Sequence, residues 1–150
     1  MPKEVHVKIK KLPHASDLNI PAKATGKAAG FDLSAAITAN QSVQPGAFSL
    51  IPTGIAVSIP PGYEGQVRPR SGLALKHGLS ILNTPGTIDS DYRGEVKVII
   101  INFGSKPYTI NRGERIAQLV IAAVPEVSLE EVSDLEDTPR GQGGFGHTGK

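Results

Sequence analysis

The sequence predicts an all-β protein: a distorted jelly roll or β-sandwich with one short helix and a mobile carboxyl-terminal arm. Three observations carry this reading. The 150 residues include 12 prolines and 17 glycines, which disfavour long helices and favour short strands joined by tight turns. Apolar residues come in short runs, some alternating with polar ones at the period of a strand. Aromatics make up only 5% of the chain, so the core must rest on Val, Ile and Leu. No internal repeat is visible.

Val5, Val7 and Ile9 alternate with His6, Lys8 and Lys10, as in a half-buried opening strand. Residues 31–36 give a second apolar stretch after Gly30, and residues 48–59 read as two short strands around Pro52-Thr53-Gly54. Pro60-Pro61-Gly62 forces a turn. Ser71-Gly72-Leu73-Ala74-Leu75-Lys76-His77-Gly78 reads as about two helical turns, with Ser71 in the N-cap position and Gly78 as the stop. Residues 95–103 form the strongest strand. Its Val98-Ile99-Ile100-Ile101 is apolar on both faces, which calls for cover on both sides, inside a sandwich or against another subunit. Residues 115–124 repeat the pattern, except that Gln118 shares its face with Ile116 and Val120. Ser128-Leu129-Glu130-Glu131 is a nominal capping box, with Leu129, Val132 and Leu135 at helical spacing, and an extended acidic connector fits nearly as well.

Composition removes several classes of function. Net charge is only +2 and the cations are scattered, so Lys8, Lys10 and Lys11 read as a solvated strand face and no nucleic-acid partner is expected. The absence of cysteine excludes disulfides, iron–sulfur clusters and thiolate metal sites. His6, His14, His77 and His147 lie far apart, without the spacing of zinc ligands. There is no signal-peptide core and no apolar run of membrane-spanning length, so a soluble, cytoplasmic protein with no membrane partner is expected.

Five segments hold candidate chemistry. Gly86-Thr87-Ile88-Asp89-Ser90-Asp91-Tyr92-Arg93-Gly94 is either an ordinary hairpin or a strand end that holds Asp89 rigidly as a base. On a regular strand Asp89 and Asp91 would share a face and could share a metal, whereas a turn between them would separate their roles. In Arg68-Pro69-Arg70-Ser71-Gly72-Leu73 two arginines lead into a helix amino terminus, which favours phosphate over simple capping. Asp32 sits in an apolar strand and needs a partner or a metal, while Gln118 either makes a buried hydrogen bond or reaches into a site. The fifth segment is the arm, residues 140–150. Its Gly141 to Gly146 satisfies G-x-G-x-x-G but lacks the strand, helix and ribose-binding acid of a dinucleotide turn. It is either a frayed end or a lid whose Phe145 stacks on a base while Arg140 meets phosphate.

In order and spacing, five segments resemble the motifs of the trimeric deoxyuridine triphosphate nucleotidohydrolase (dUTPase) family. They are Ala29-Gly30-Phe31-Asp32-Leu33-Ser34-Ala35, Arg68-Pro69-Arg70-Ser71-Gly72-Leu73-Ala74, the stretch from Asn83 to Gly94, Gly113-Glu114-Arg115-Ile116-Ala117-Gln118-Leu119, and the arm. The resemblance implies hydrolysis of dUTP to dUMP and pyrophosphate by water attack on the α-phosphorus, assisted by Mg²⁺ on the triphosphate. Such a reaction keeps uracil out of DNA and supplies dUMP for dTMP synthesis. Carried over by position, Asp89 is the base and Gln118 helps hold the water. Asn83 and the backbone of Gly86, Thr87, Ile88 and Asp89 read uracil, and Tyr92 packs on the deoxyribose. Ser71 and Gly72 meet phosphates, with Arg70, Arg115 and Arg140 supplying positive charge. Phe145 stacks on the base, Lys97 touches nucleotide, and Asp32 reaches the metal through water.

The resemblance further implies a homotrimer with shared active sites. It divides the chain into a β-domain (1–125), an extended connector crossing to a neighbour (126–139) and a catalytic arm (140–150). Ser34 and His147 depart from residues frequent in the family, Arg and Ser respectively. The rival readings are a dCTP deaminase, including its bifunctional form, and a non-catalytic nucleotide-sensing jelly-roll module.

Overall fold

The computed structural model describes residues 4–147 and 149. Met1, Pro2 and Lys3 of the β-domain, and Thr148 and Lys150 of the arm, lie outside the described residues. The chain runs β1 (Lys8–Lys11), a 3-10 turn (Pro13–Ala15), β2 (Gly30–Ser34), β3 (Gln41–Val43), β4 (Phe48–Ser58), β5 (Tyr63–Arg68), α1 (Ser71–His77), β6 (Leu79–Ile81), β7 (Gly86–Ile88), β8 (Glu95–Asn102), β9 (Tyr108–Ile110) and β10 (Arg115–Ala123). Two four-stranded antiparallel sheets, ordered β1-β4-β8-β6 and β2-β10-β5-β7, are joined by a small β3-β9 pair. This is the expected mostly-β fold, a distorted jelly roll.

The core is aliphatic. Leu33, Ile51, Ile59, Ile81, Ile100, Ile110, Ile116, Val43, Val96 and Val98 are fully enclosed, and Tyr63 and Tyr108 pack only at its margin. Each such aliphatic side chain contributes about 1.5–3 kcal/mol when withdrawn from water. Asn102 is the one large polar residue in that interior, and it is satisfied. Its Nδ2 donates to the carbonyls of Val43 (2.9 Å) and Lys106 (2.8 Å), and its Oδ1 accepts from Gly104 N–H (2.8 Å), which ties β8 to β3 and to the following turn.

β8 sends Val96, Val98 and Ile100 inward. Its other face carries Ile99 and Ile101 opposite Leu50 and Phe48 of β4, and Phe48 is 62% exposed. With Leu82 and Phe103, these residues form an apolar outer surface.

Several expectations change. Residues 48–58 form one strand, not two. Gly54 takes a left-handed φ of 69° and a bulge shifts the β4–β8 register between Pro52 and Ala56, so β4 bends without leaving its neighbour. Thr53 Oγ1 donates to Val96 O, and Gly54 N–H donates to Glu95 Oε1 (2.9 Å), so the bulge's polar groups are paired. The opening strand is shorter than its alternation suggests: only Lys8 to Lys11 join the ladder, all four exposed, while Val5 and Val7 are half-buried before it. The N-cap of α1 is Arg70, not Ser71, which is the first helical residue; Gly78 is the left-handed stop as expected. Residues 125–137 carry neither helix nor strand, so the helical reading of the acidic segment does not hold.

Candidate active site

Asp32 on β2 stands directly across from Gln118 on β10, and Gln118 directly across from Arg68 on β5. Leu33 points into the core, so Asp32 projects from the outer face. Its carboxylate holds two guanidiniums: Oδ1 lies 3.3 Å from Arg70 Nε, and Oδ2 accepts from Arg115 Nη1 at 3.1 Å. Arg70 Nη1 also donates to Arg115 O (3.0 Å), and Gln118 Nε2 donates to Pro69 O (2.9 Å). β2, β10 and the entry to α1 are thereby fixed around one excess of positive charge. A Cβ at Gly30 would meet Gln118 Oε1, so the glycine leaves the Gln118 amide in place and any side chain there would push it aside. The space where Gly72 would carry a Cβ is open, so a ligand can approach the first turn of α1, whose amides lack intrahelical acceptors.

A bulge in β10 changes the expected company of Gln118. Register shifts between Arg115 and Ala117, which buries Ile116 with Ala117 and Leu119 and leaves Gln118 half-exposed beside Val120. Just before β10, Tyr108 donates its hydroxyl to Glu114 and rests its ring 4.8 Å from that of His77. Burial, reinforced by the Glu114 carboxylate, pushes the Tyr108 pKa up to about 12. Sequence reading missed this clamp, although a Glu beside Arg115 was its visible signal.

The hairpin lies on the far edge of the same sheet, where β7 pairs with β5. Asn83 precedes a cis Thr84–Pro85 peptide, and its side chain covers the site a Cβ of Gly86 would need. Ile88 is buried, and Asp89 is exposed immediately past the strand. Tyr92 N–H donates to Asp89 O (3.1 Å), closing a turn that replaces the regular strand on which Asp89 and Asp91 could have shared a metal. Tyr92 donates its hydroxyl to Glu95 O (3.0 Å), and its ring lies over Gly94, where a Cβ would collide with it. A cavity of about 390 Å³ collects Leu50, Thr87, Ile88, Asp89, Tyr92, Glu95, Val96 and Lys97, so the structure brings five of the predicted site residues together there.

One chain does not bring Asp89 to Gln118. Gln118 pairs with Arg68, and Gly65 pairs with Ile88, so two strand spacings and several residues along the strands separate them, roughly 15 Å. Among the described residues the arm joins neither group through hydrogen bonds: Arg140 Nε donates to Gly143 O (2.8 Å), His147 N–H to Gly144 O (3.1 Å), and Gly141 N–H to the carbonyl (2.9 Å) and hydroxyl (3.1 Å) of Thr138 just before the arm. Phe145 is fully exposed. Among the described residues no group of three or more His, Asp or Glu could hold a metal ion.

A sheet face presenting paired arginines, a separate cleft walled by backbone, Tyr and Asp, and a glycine-rich tail give this antiparallel β protein the chemistry of a binder of anionic, nucleotide-like ligands. A family profile described as dUTPase matches residues 16–149. A deoxyuridine 5'-triphosphate nucleotidohydrolase of Methylocella silvestris is 56% identical over 151 aligned positions, covering 99% of this chain and 94% of that protein. Among solved structures, the dUTPase of Staphylococcus bacteriophage 80alpha with dUPNHPP is 30% identical at a TM-score of 0.85, covering 97% of this chain and 99% of that one. The dUTPase of S. aureus phage phi11, solved as a variant that shows coordination of a structural Mg(II) ion, is 27% identical at a TM-score of 0.77, covering 88% and 99%. The chain belongs to the dUTPase family.

Proposed function

We propose that the protein hydrolyses dUTP to dUMP and pyrophosphate at sites assembled from several copies of the chain. Family membership carries the reaction. The separation of Asp89 from Gln118 within one chain supports the shared sites, as does the apolar outer surface of Phe48, Leu50 and Phe103, which suits a homotrimer interface. In this reading residues 1–125 form the body, residues 126–139 cross to a neighbour and residues 140–150 close the site. The phage 80alpha dUTPase with dUPNHPP supports dUTP as substrate, and the structural Mg(II) ion of the phage phi11 dUTPase supports Mg²⁺ as cofactor. A cytoplasmic location is part of the same proposal; no helix among the described residues is long and apolar enough to cross a membrane.

Asp89 takes a proton from the water whose oxygen bonds to the α-phosphorus, and Gln118 from another chain holds that water. The bond from the α-phosphorus to the bridging oxygen breaks, and pyrophosphate leaves. Arg70, Arg115 and Arg140, with the first-turn amides of Ser71 and Gly72, bind the phosphates and stabilise the charge that develops. Asn83 and the backbone of residues 86–89 bind uracil, Phe145 stacks on it, Tyr92 packs against deoxyribose, and Lys97 lies beside the nucleotide. Both oxygens of Asp32 are already held by guanidiniums, so this carboxylate fits contact with a metal through water and not direct ligation. Mg²⁺, held mainly by the triphosphate, supplies neutralisation of its charge.

Pyrophosphate release from dUTP, dTTP, UTP and dCTP, with and without Mg²⁺, tests this. Strong preference for dUTP is expected. Ammonia released from dCTP would replace the proposal with a deaminase, and no release from any of the four would leave a binding module.

A further inference from the structure

We propose that His14 and Glu95 form a brace that positions the Tyr92 hairpin, so that a loop outside every motif governs how strictly the sugar is selected. The sugar-selecting part rests on the role given to Tyr92 above. Glu95 opens β8 where the chain leaves the hairpin. Its side chain is only 15% exposed, and a carboxylate so far withdrawn from water requires partners. Oε1 accepts two hydrogen bonds, from His14 Nε2 (2.6 Å) and from Gly54 N–H (2.9 Å) in the β4 bulge. The main-chain oxygen of the same residue accepts the Tyr92 hydroxyl. One residue thus joins the amino-terminal loop, the bulge and the ring.

His14 is itself fixed. Arg112 Nη2 donates to His14 O (2.7 Å) and to Asp17 Oδ1 (2.6 Å), and Arg112 Nη1 donates to Ile37 O (3.0 Å). Leu12 N–H donates to Gly54 O (2.8 Å), and Lys11 Nζ holds the carbonyls of Ser16 and Leu18, each at 2.9 Å. Ala15 packs so closely on Gly54 that a Cβ there would collide with it. Lys97 shares a strand face with Glu95 and lines the same cavity as Tyr92, so a displaced Glu95 disturbs both. In the cluster, Asp32 and Arg115 lie on the other sheet and Arg70 caps α1, and neither His14 nor Glu95 bonds to any of the three.

The test compares His14→Ala and His14→Gln in the full chain, with kcat and KM for dUTP and UTP and with hydrogen exchange of the amides of residues 89–95 without nucleotide. In His14→Ala, KM for dUTP rises and preference over UTP falls by about tenfold, while kcat stays within about twofold. The hairpin amides exchange about tenfold faster. His14→Gln, which can still donate to Glu95, restores both readouts. Unchanged exchange at residues 89–95 in His14→Ala overturns the brace whatever the substrate proves to be. Faster exchange with unaltered KM and selectivity overturns its part in sugar selection. Equal, chain-wide acceleration in both variants reduces His14 to a purely structural residue and also overturns the proposal. A wild-type chain with no preference for dUTP over UTP refutes the role of Tyr92, and the exchange data still decide the brace.

Discussion

From Gly30 to Ala123 the polar side chains that matter find partners inside the chain: Asp32 holds Arg70 and Arg115, Gln118 reaches Pro69, and Asn102 makes three bonds in the core. Among the described residues from Pro125 onward, hydrogen bonds stay within the segment and none reaches the sheets. Leu129 is 97% exposed, Val127, Val132 and Leu135 are also exposed, and the hydrogen bonds of the described arm residues reach no farther back than Thr138. The first region is stabilised by its own contacts. The second leaves its apolar groups in water, and in the proposed assembly they would gain partners from a neighbouring chain or a nucleotide.

Four experiments break or sharpen this contrast. Asp89→Asn alters the body without altering its packing: kcat for dUTP falls by about 10²- to 10⁴-fold while KM stays close to wild type, as read by pyrophosphate release. Near-normal turnover would remove Asp89 from the reaction. Deleting residues 140–150 lowers kcat by about 10²-fold with thermal unfolding unchanged. A truncated chain with full activity would make the arm a frayed end, and a lowered Tm would mean that it supports the body after all. Asn102→Ala does the opposite, lowering stability by about 2 kcal/mol in urea titration with kcat at room temperature retained. The smallest effect is on pH dependence. Because the Tyr108 pKa is raised in the folded chain to about 12, its contribution to stability is complete below pH 10 and is lost as pH rises toward 12. Tyr108→Phe therefore shows a smaller fall in Tm between pH 9 and pH 11 than the wild type does.

Legibility in the sequence divides along the same line. The inward residues of β8 and the aliphatic core followed from short apolar runs and scarce aromatics, because burial acts on side-chain type and sequence records type directly. The bulge at Gly54 was not legible: Pro52-Thr53-Gly54 reads as a break, and only the register with β8 on both sides shows that the strand continues. The bulge in β10 moved Ile116 off the face of Gln118 for the same reason. Ser71 has the chemistry of an N-cap, yet the bonds of Arg70 to Asp32 and Arg115 settle where the helix begins, and those partners lie far away in sequence. Candidate site residues were legible as motifs, but composition and spacing alone could not show that Asp89 and Gln118 stand apart. The tie from His14 to Glu95, spanning 81 positions, left no local signal.

The distance between Asp89 and Gln118 has a genetic consequence. When a working site draws its base from one chain and its water-holding amide from another, a defect in either residue is a defect of chains in combination. An inactive Asp89 variant and an inactive Gln118 variant, unfolded together and refolded, would complement one another, with about one site in four receiving both intact residues. With sites shared in this way, a dead allele of this kind would be partly rescued by a different dead allele, and a chain faulty in one of the two residues would spoil one site in an assembly whose other members are sound.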